Sequence, residues 1–531
     1  MNAAGGSLAR SGPEATDGTP PWVFALALGS VVVVLVANLR GIAVGDDGVG
    51  YRAIAESIAN GDGLGYFLDD PLTIWPPLWP ALMALVDLLT PLNALGAAVA
   101  LNAATVVAAT LVGHGLLAAV VADRRLVAWG TAVIALGSST VGFGHLLMTD
   151  LAFAVVVLVW LRCLIRYRRE HRMIWLVAAS VAVWVGFGLR YVSLYLLALG
   201  CGWLLFDATH TWRRRLLRAP AYGVLRVVVP AAWMLRNHAI DGTFTGERTP
   251  SARGPLENAF DVLATMGQWL LPGVAPGALE FWAAVALVVL VVSAWLGYRV
   301  LRAGVPAAGF RATTAAFLTW VGSPSGLLAV AAFGYLLYMV YVRSSTALNR
   351  LELRLLNPAY FPLLGLALVL VAGLSRIDRT GGWARRGHAV VVIWAVANLA
   401  AGAYATVSFA TGDPFFDGNY NSEVFRDVRA DAVLDTLPDD CETYSNLPNA
   451  LYPELEAQWS PRRTALESTA PTDDLEVLVE QVAGEPACLV WIDEAPRYGH
   501  LWTREQLAGS LDLERIGASG NVTVYRVMPL P

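Results

Sequence analysis

Runs of about twenty residues with almost no charge, several of them closed by arginine, recur along this chain and constrain its folding more than any other feature. Trp22–Leu39 alone supplies eighteen residues without a charged side chain. A hydrocarbon interior offers no water to backbone N–H and C=O groups, so segments of this length satisfy them internally, as membrane-spanning helices. Composition agrees: 56% of the 531 residues are hydrophobic and 15% charged, against about 25% charged in soluble domains. Mean hydropathy is +0.54. The chain reads as an α-helical polytopic membrane protein. All 37 basic residues are arginine, which we attribute to coding bias rather than to chemistry.

Arginine-rich loops stay on the cytoplasmic side. Four clusters stand out: Arg162/166/168/169/172, Arg213–215 with Arg218, Arg299/302/311, and Arg376/379/385/386. With all four inside, the spans between them pair off. Segments 173–189 and 192–206 turn outside at Arg190–Tyr191; segments 220–235 and 279–298 leave 236–278 outside; and Arg343–Asn357 forms a further outer loop. A last helix, 388–408, delivers the remainder of the chain to the outer side. Nearer the N-terminus, the runs 72–90, 94–122 and 126–147 close the scheme only if one is juxtamembrane or re-entrant. The proline-broken PLTIWPPLWPALMALVDLL is the candidate. About 11 transmembrane helices are expected.

Charge divides the chain. From residue 410 onward there are 8 Arg against 22 Asp and Glu, a balance of −14, while the preceding residues carry +9. We read three parts: an N-terminal segment 1–21, rich in Gly, Ala, Ser and Pro and expected to be disordered; a membrane domain 22–409; and a small acidic α/β domain 410–531. The apolar stretch after residue 21 lacks a basic leader and a small-residue cleavage site, and reads as an uncleaved first helix.

On this scheme the uncommon polar residues gather on the outer face. Asp46 and Asp47 lie in the first outer loop, at the start of DDGVGYRAIAESIANGDG. Asp150, in HLLMTDLAF, opens a helix. Arg190 and Tyr191 lie at a hairpin, Arg236, Asn237 and Arg248 in LRNHAIDGTFTGER, and Arg350 and Arg354 in NRLELRLLNPAYFPLL. Guanidinium forks suit phosphate oxygens, and an aspartate serves as general base toward a hydroxyl or as ligand to a divalent cation. Each residue also has a plainer reading. Asp47 would cap a helix Gly48–Asn60 ended by Gly61, Asp150 would cap its own helix, and Arg190 and Arg236 would anchor at the interface. The helix after Asp47 puts Tyr51, Ile54, Ala55 and Ile58 on one apolar stripe.

The order of these segments resembles the integral-membrane, polyprenyl-phosphate-dependent glycosyltransferases of the GT-C superfamily, protein O-mannosyltransferases and lipid A aminoarabinose transferases among them. The resemblance rests on DGVGYRAIAESIANGDGLGY at 47–66, followed by WPPLWP at 75–80, and covers roughly residues 22–408. It implies that Asp47 is the catalytic aspartate. The family's customary second acid falls on Gly48, with Asp46 one position early. It further implies that Asp150 matches the acid of the second outer loop, and that Arg236–Asn237 and Arg354–Pro358 follow recurring patterns.

The expected activity is inverting transfer of a sugar from a polyprenyl-phosphate carrier to a hydroxyl of an extracytoplasmic acceptor, at a multi-pass site in the cell membrane and with no nucleic acid partner. Asp47 is then the base, with Asp46 or Asp150 assisting or, with Asp47, holding a divalent cation. Tyr51, Arg190, Tyr191, Arg236, Asn237, Arg248 and Arg354 are expected to bind substrate. The rival class is a transporter or lipid-carrier flippase, which would place its ionisable groups near the bilayer midplane; a polymerase or ligase of lipid-linked glycans is a third reading.

In the acidic tail, VFRDVRADAVLDTL and DDLEVLVEQVAG read as helices, and CETYSN, ACLVWID and VTVYRV as strands. Asn521-Val-Thr fits a glycosylation sequon inside the last of these. Cys163 and Cys201 fall in membrane segments and read as packing residues. Cys441 and Cys488, each opening a strand, are either a disulfide or two buried free thiols.

Overall fold

A computed structural model describes residues 18–206, 211–272, 277–303, 310–377, 381–412, 419–438, 441–462, 474–483, 487–493 and 500–530. Of the N-terminal segment expected to be disordered, residues 1–17 lie outside these. Among the described residues, sixteen α-helices precede residue 412: α1 Pro21–Ala37, α2 Asp46–Asn60, α3 Leu78–Leu89, α4 Ala94–Val120, α5 Arg124–Leu136, α6 Ser138–Gly144, α7 Asp150–Glu170, α8 Met173–Leu189, α9 Leu194–Phe206, α10 Trp212–Asp241, α11 Pro255–Leu270, α12 Leu279–Ala303, α13 Phe310–Val321, α14 Pro324–Ser345, α15 Leu353–Gly373 and α16 Gly382–Thr411. Local chemistry sets their ends. The Asn93 and Ser323 side chains cap α4 and α14, and left-handed Gly61, Gly242 and Gly412 stop α2, α10 and α16.

Among the described residues, six helical segments are long and apolar enough to cross a membrane: α4, α5 with α6, α12, α14, α15 running on to Arg376, and α16. Four shorter apolar helices accompany them. The expected count of about 11 is not confirmed by these; α7 and α10, with 21 and 30 residues, are interrupted by several arginines. α3 has 12 residues, a length of about 18 Å against a hydrocarbon core of roughly 30 Å. α7 is buried along most of its length, with Phe153, Trp160 and Tyr167 enclosed at the centre of the bundle. Outward, α12 and α16 expose Val288, Val291, Val390 and Ile393, the last to 70%, as helices facing lipid do. The chain is a multi-pass membrane protein.

The C-terminal part carries a five-stranded sheet, β1 Glu442–Ser445, β2 Gln458–Trp459, β3 Ala487–Ile492, β4 Leu511–Ser519 and β5 Val522–Pro529, in the order β2-β1-β3-β5-β4. β1 runs parallel to β2 and β3, and β5 antiparallel to β3 and β4. The short helices α17 Glu423–Arg429, α18 Pro448–Leu451, α19 Leu475–Val482 and α20 Arg504–Leu507 complete it. Two expectations change. The helix expected over VFRDVRADAVLDTL breaks after Arg429, because Asp431 turns its carboxylate onto the Val433 N–H and starts a separate 3-10 turn, Ala432–Thr436. Asn521 sits exposed in the Gly520–Asn521 turn between β4 and β5 rather than within a strand.

Cys441 and Cys488 form a disulfide with Cα atoms 5.6 Å apart. The parallel pairing of β1 with β3 sets Thr443 opposite Cys488 and brings the two strand starts to one edge. The bridge closes a loop with a sequence separation of 47, and in the chain-entropy account stabilises the tail by about 4 kcal/mol. Alkylation of the denatured, unreduced protein should therefore label Cys163 and Cys201 and leave Cys441 and Cys488 unlabelled by mass spectrometry. Labelling of the latter pair without reductant contradicts the bridge.

Candidate active site

Asp46 and Asp47 lie about a hundred residues from Asp150, and a short piece of β structure joins the two segments. Ala43 and Leu146 form a parallel bridge, with the Ala43 N–H donating to His145 O and the Leu147 N–H to Ala43 O, both at 2.9 Å. α2 begins three residues after Ala43 and α7 four after Leu146, so Asp46, Asp47 and Asp150 all fall in the first turns of neighbouring helices. Carboxylates are favoured at helix N-termini by the free N–H groups there. α2 lies close to its supports because it is glycine-rich at this end. A Cβ on Gly50 would come within 2.5 Å of the Trp75 ring, and one on Gly48 within 3.0 Å of Leu147 O. The WPPLWP segment thus rests against α2, with Trp75 beside Tyr51 and Tyr66 at ring separations of 5.5 and 5.4 Å.

Asp47 is not a helix cap. Gly45 occupies the N-cap position, and Asp47 lies inside the first turn with no capping hydrogen bond. Its Oδ2 instead meets Nη2 of Arg354. Both side chains keep part of their surface exposed, 27% and 21% respectively. The Nε of Arg354 stands 4.0 Å from Asp150 Oδ2, while Arg190 Nη1 donates to Asp150 Oδ1 at 2.6 Å. Charges thus alternate in the order Asp47, Arg354, Asp150, Arg190. Asp150 is 1% exposed, and its Oδ2 accepts no hydrogen bond. An arginine in the first turn of α15 opposes the helix dipole, so the two carboxylates, not helix stability, account for Arg354.

Tyr51 is buried beside this row, and burial together with the field of Asp47 pushes its phenol well above the ordinary range. Burial and the carboxylates of Asp47 and Asp46 do the same for Tyr66. Both remain neutral O–H groups at any physiological pH.

The other expected substrate contacts hold backbone. Tyr191 donates its O–H to Thr73 O at 2.7 Å and accepts from Trp233 and Asn237. Asn237 also donates to Thr73 O and Phe244 O at 3.3 and 3.2 Å, and Arg236 donates to Leu72 O. Arg248 Nη2 donates to Ile74 O and Thr245 O, each at 2.9 Å. Together they fasten residues 72–74, ahead of WPPLWP. Arg248 is exposed, its Nε and Nη1 make no hydrogen bond among the described residues, and Asp47 lies within its electrostatic reach.

Asp46 faces away from the row. Its Oδ1 accepts from Tyr420 O–H at 2.7 Å and Asn449 Nδ2 at 2.9 Å. No sequence signal pairs these residues, which lie 374 and 403 positions away. A second arginine cluster was also missed: Asp261 on α11 takes Arg343, Arg350 at 3.1 Å and Arg253 at 3.5 Å.

No group of three or more His, Cys, Asp or Glu able to hold a metal occurs among the described residues. Arg354 stands between Asp47 and Asp150, the two acids considered as ligands. The donor set does not fit a divalent cation.

No protein-family profile and no curated protein sequence matches the chain. Solved structures do. The archaeal oligosaccharyltransferase from Archaeoglobus fulgidus, in complex with an inhibitory peptide and a dolichol-phosphate, superposes with a TM-score of 0.52 at 11% identity, over 89% of this chain and 70% of that one. ArnT from Cupriavidus metallidurans in the apo state gives 0.48 at 17% identity over 95% and 97%. The mycobacterial arabinofuranosyltransferase AftD gives 0.49 at 14% over 97% and 40%. The chain shares the fold of that archaeal oligosaccharyltransferase.

Proposed function

We propose that this protein transfers a sugar from a polyprenyl-phosphate carrier to a hydroxyl of an extracytoplasmic acceptor. The observation that carries the reading is the position of Asp47: a partly exposed carboxylate at a helix end, with a row of alternating charge behind it. The oligosaccharyltransferase that shares the fold holds a dolichol-phosphate, a lipid carrier of this chemical type. A transporter would instead keep its ionisable groups near mid-span.

In the reaction, the acceptor hydroxyl gives its proton to Asp47 as its oxygen bonds to the anomeric carbon. The carbon–oxygen bond to phosphate breaks on the opposite face, the electron pair leaves with the carrier phosphate, and the configuration inverts. Positive charge fixed where the phosphate departs lowers the barrier. Arg248, with free N–H groups, is the first contact for that phosphate. Arg354 is the second. In the resting site it is shared between two carboxylates, and turning one N–H group to phosphate oxygen loosens its hold on Asp47 as the base is needed. Arg190 stays with Asp150 and keeps that buried carboxylate compensated. Tyr191, Arg236 and Asn237 act at one remove, holding residues 72–74 in place. The sugar and the acceptor are to be identified from the lipid-linked sugar that co-purifies with the protein.

Asp47→Asn keeps the shape of the side chain and removes its basicity, so transfer should fall roughly 10²–10⁴-fold while carrier binding persists. Radiolabelled-sugar transfer in proteoliposomes measures the first and lipid co-purification the second; near wild-type turnover of the variant contradicts the mechanism.

The proposed orientation places α2 and the C-terminal sheet on the same, outer side. In a background with Cys163 and Cys201 replaced, cysteines introduced at the exposed Asp62 and Ser519 should both react with a membrane-impermeant thiol reagent in intact cells. If either is protected until lysis, the sides are assigned wrongly.

A further inference from the structure

Two adjacent acids open α2, and the proposed chemistry uses one. Successive helical residues point about 100° apart, so Asp47 turns toward α15 and Asp46 toward the C-terminal part of the chain. There Asp46 is met by Tyr420, 3% exposed, and Asn449, 8% exposed. We infer that residues 419–438 and 441–452 form a positioning clamp on the first turn of α2, acting through Asp46, with Tyr420, Arg429 and Asn449 as positioning residues for Asp47. The inference rests on the reading of Asp47 as the base.

The clamp is built from both sides. Along the chain before α2, Val44 N–H donates to Asn419 Oδ1 at 3.0 Å, Tyr420 N–H donates to Val44 O at 2.8 Å, and Asn421 Nδ2 donates to Ile42 O at 2.9 Å. Arg429 then ties the two halves of the clamp together. Its Nη1 donates to Tyr420 O at 2.9 Å and to Ala450 O at 3.1 Å, and its Nε pairs with Glu454 at 3.2 Å. That bond pattern fixes the tyrosine and the asparagine on one carboxylate oxygen.

Further along α2 a second tether follows. Tyr452 donates its O–H to Glu56 at 2.5 Å, and Arg52 pairs with Glu56 at 2.8 Å while lying over the Tyr452 ring. Leu68 N–H donates to Glu456 at 2.7 Å. With its first turn and its middle both held by the tail, α2 has little freedom to rotate. A rotation of its first turn would carry Asp47 off Arg354. Among the described residues, that ion pair is the one hydrogen bond or salt bridge joining the Asp47 side chain to the membrane helices.

Asn449→Asp tests the clamp by setting a carboxylate against Asp46, and the reciprocal pair Asp46→Asn with Asn449→Asp restores one donor and one acceptor. Two readouts on the full-length protein in lipid nanodiscs separate the questions. Amide hydrogen exchange over residues 46–60 should rise roughly tenfold or more in Asn449→Asp, because opening there no longer opposes the two part-buried hydrogen bonds on Asp46. The kcat for sugar transfer should fall roughly 10- to 100-fold with donor KM nearly unchanged, the signature of a misplaced group rather than a lost substrate contact. The double swap should return both toward wild type. Tyr420→Phe, which deletes a single O–H, should move both in the same direction by less, and it carries the test if Asn449→Asp fails to fold. Unchanged exchange in a folded variant overturns the clamp, and faster exchange with wild-type kcat overturns its role in positioning. A wild-type protein that transfers no sugar refutes the functional reading on its own, and the exchange measurement still decides the clamp.

Discussion

One pairing, Ala43 against Leu146, determines where the proposed chemistry sits in this molecule. A bridge of parallel β structure at the rim of a helical bundle is a small feature, but each strand segment runs directly into a helix whose first turn carries aspartate. Bringing the strands together brings the helix starts together. The rest of the bundle then has to accommodate two carboxylates at one place, one of them buried. A buried carboxylate without a counter-charge costs several kcal/mol, so arginines must converge there from other elements: Arg190 from the end of α8 and Arg354 from the start of α15. The position of α15 follows from that demand, and in the loop before it Arg350 reaches Asp261 of α11, which also pairs with Arg343 of α14.

The resulting row has two negative and two positive groups and no net charge. Neutrality suits a resting site at a membrane surface, where an uncompensated charge would be poorly solvated on the lipid side. On the proposed function, an arriving phosphodiester donor disturbs this balance, and the guanidinium best able to respond is the one already shared. Arg354 has Asp47 on Nη2 and Asp150 at 4.0 Å from Nε, so neither carboxylate holds it with a full bidentate fork. Arg190, in contrast, closes on an acid that is almost wholly enclosed. The same residue type at two positions thus does different work: one keeps a buried charge compensated, the other remains available.

How far the sequence foretold this depends on the range of the interaction. Asp47, Asp150 and Arg354 were legible because a charge at the edge of an apolar run is conspicuous and its helix end is set by local chemistry. The pairing of Cys441 with Cys488 was partly legible, since a strand–helix–strand pattern places two strand starts side by side. The roles of Tyr191, Arg236 and Asn237 were not. Their polarity is visible in sequence, but their partners are the backbone carbonyls of residues 72–74, and a carbonyl carries no residue identity to search for. β4 escaped notice because its outward positions, Asp512 and Glu514, are the charges with which an edge strand resists further pairing, and they obscure its alternation.

The tail's partners were hidden most completely, and they bear on what the C-terminal sheet is for. Its β1, β3 and β5 strands pack on α19 to form a small core of their own, around Tyr444, Leu478, Leu489 and Val527. The residues that reach α2 belong to a different layer: Tyr420, Tyr452, Leu447, Ala450 and Leu451 pack into the same apolar cluster as Val44, Val49 and Tyr51. One face of the sheet, through Val490, Ile492, Val522 and Val524, belongs to that cluster too, so the tail is continuous with the membrane bundle there, and only the face packed on α19 has a core of its own. Apolar burial of this kind resists separation without dictating orientation, since it is non-directional. Hydrogen bonds supply the orientation, and here they are concentrated on Asp46, Val44 and Glu56. The two neighbouring acids at the start of α2 are thus divided between the two parts of the molecule, one held by the lipid-embedded helices and the other by the tail, and the direction in which Asp47 faces depends on both.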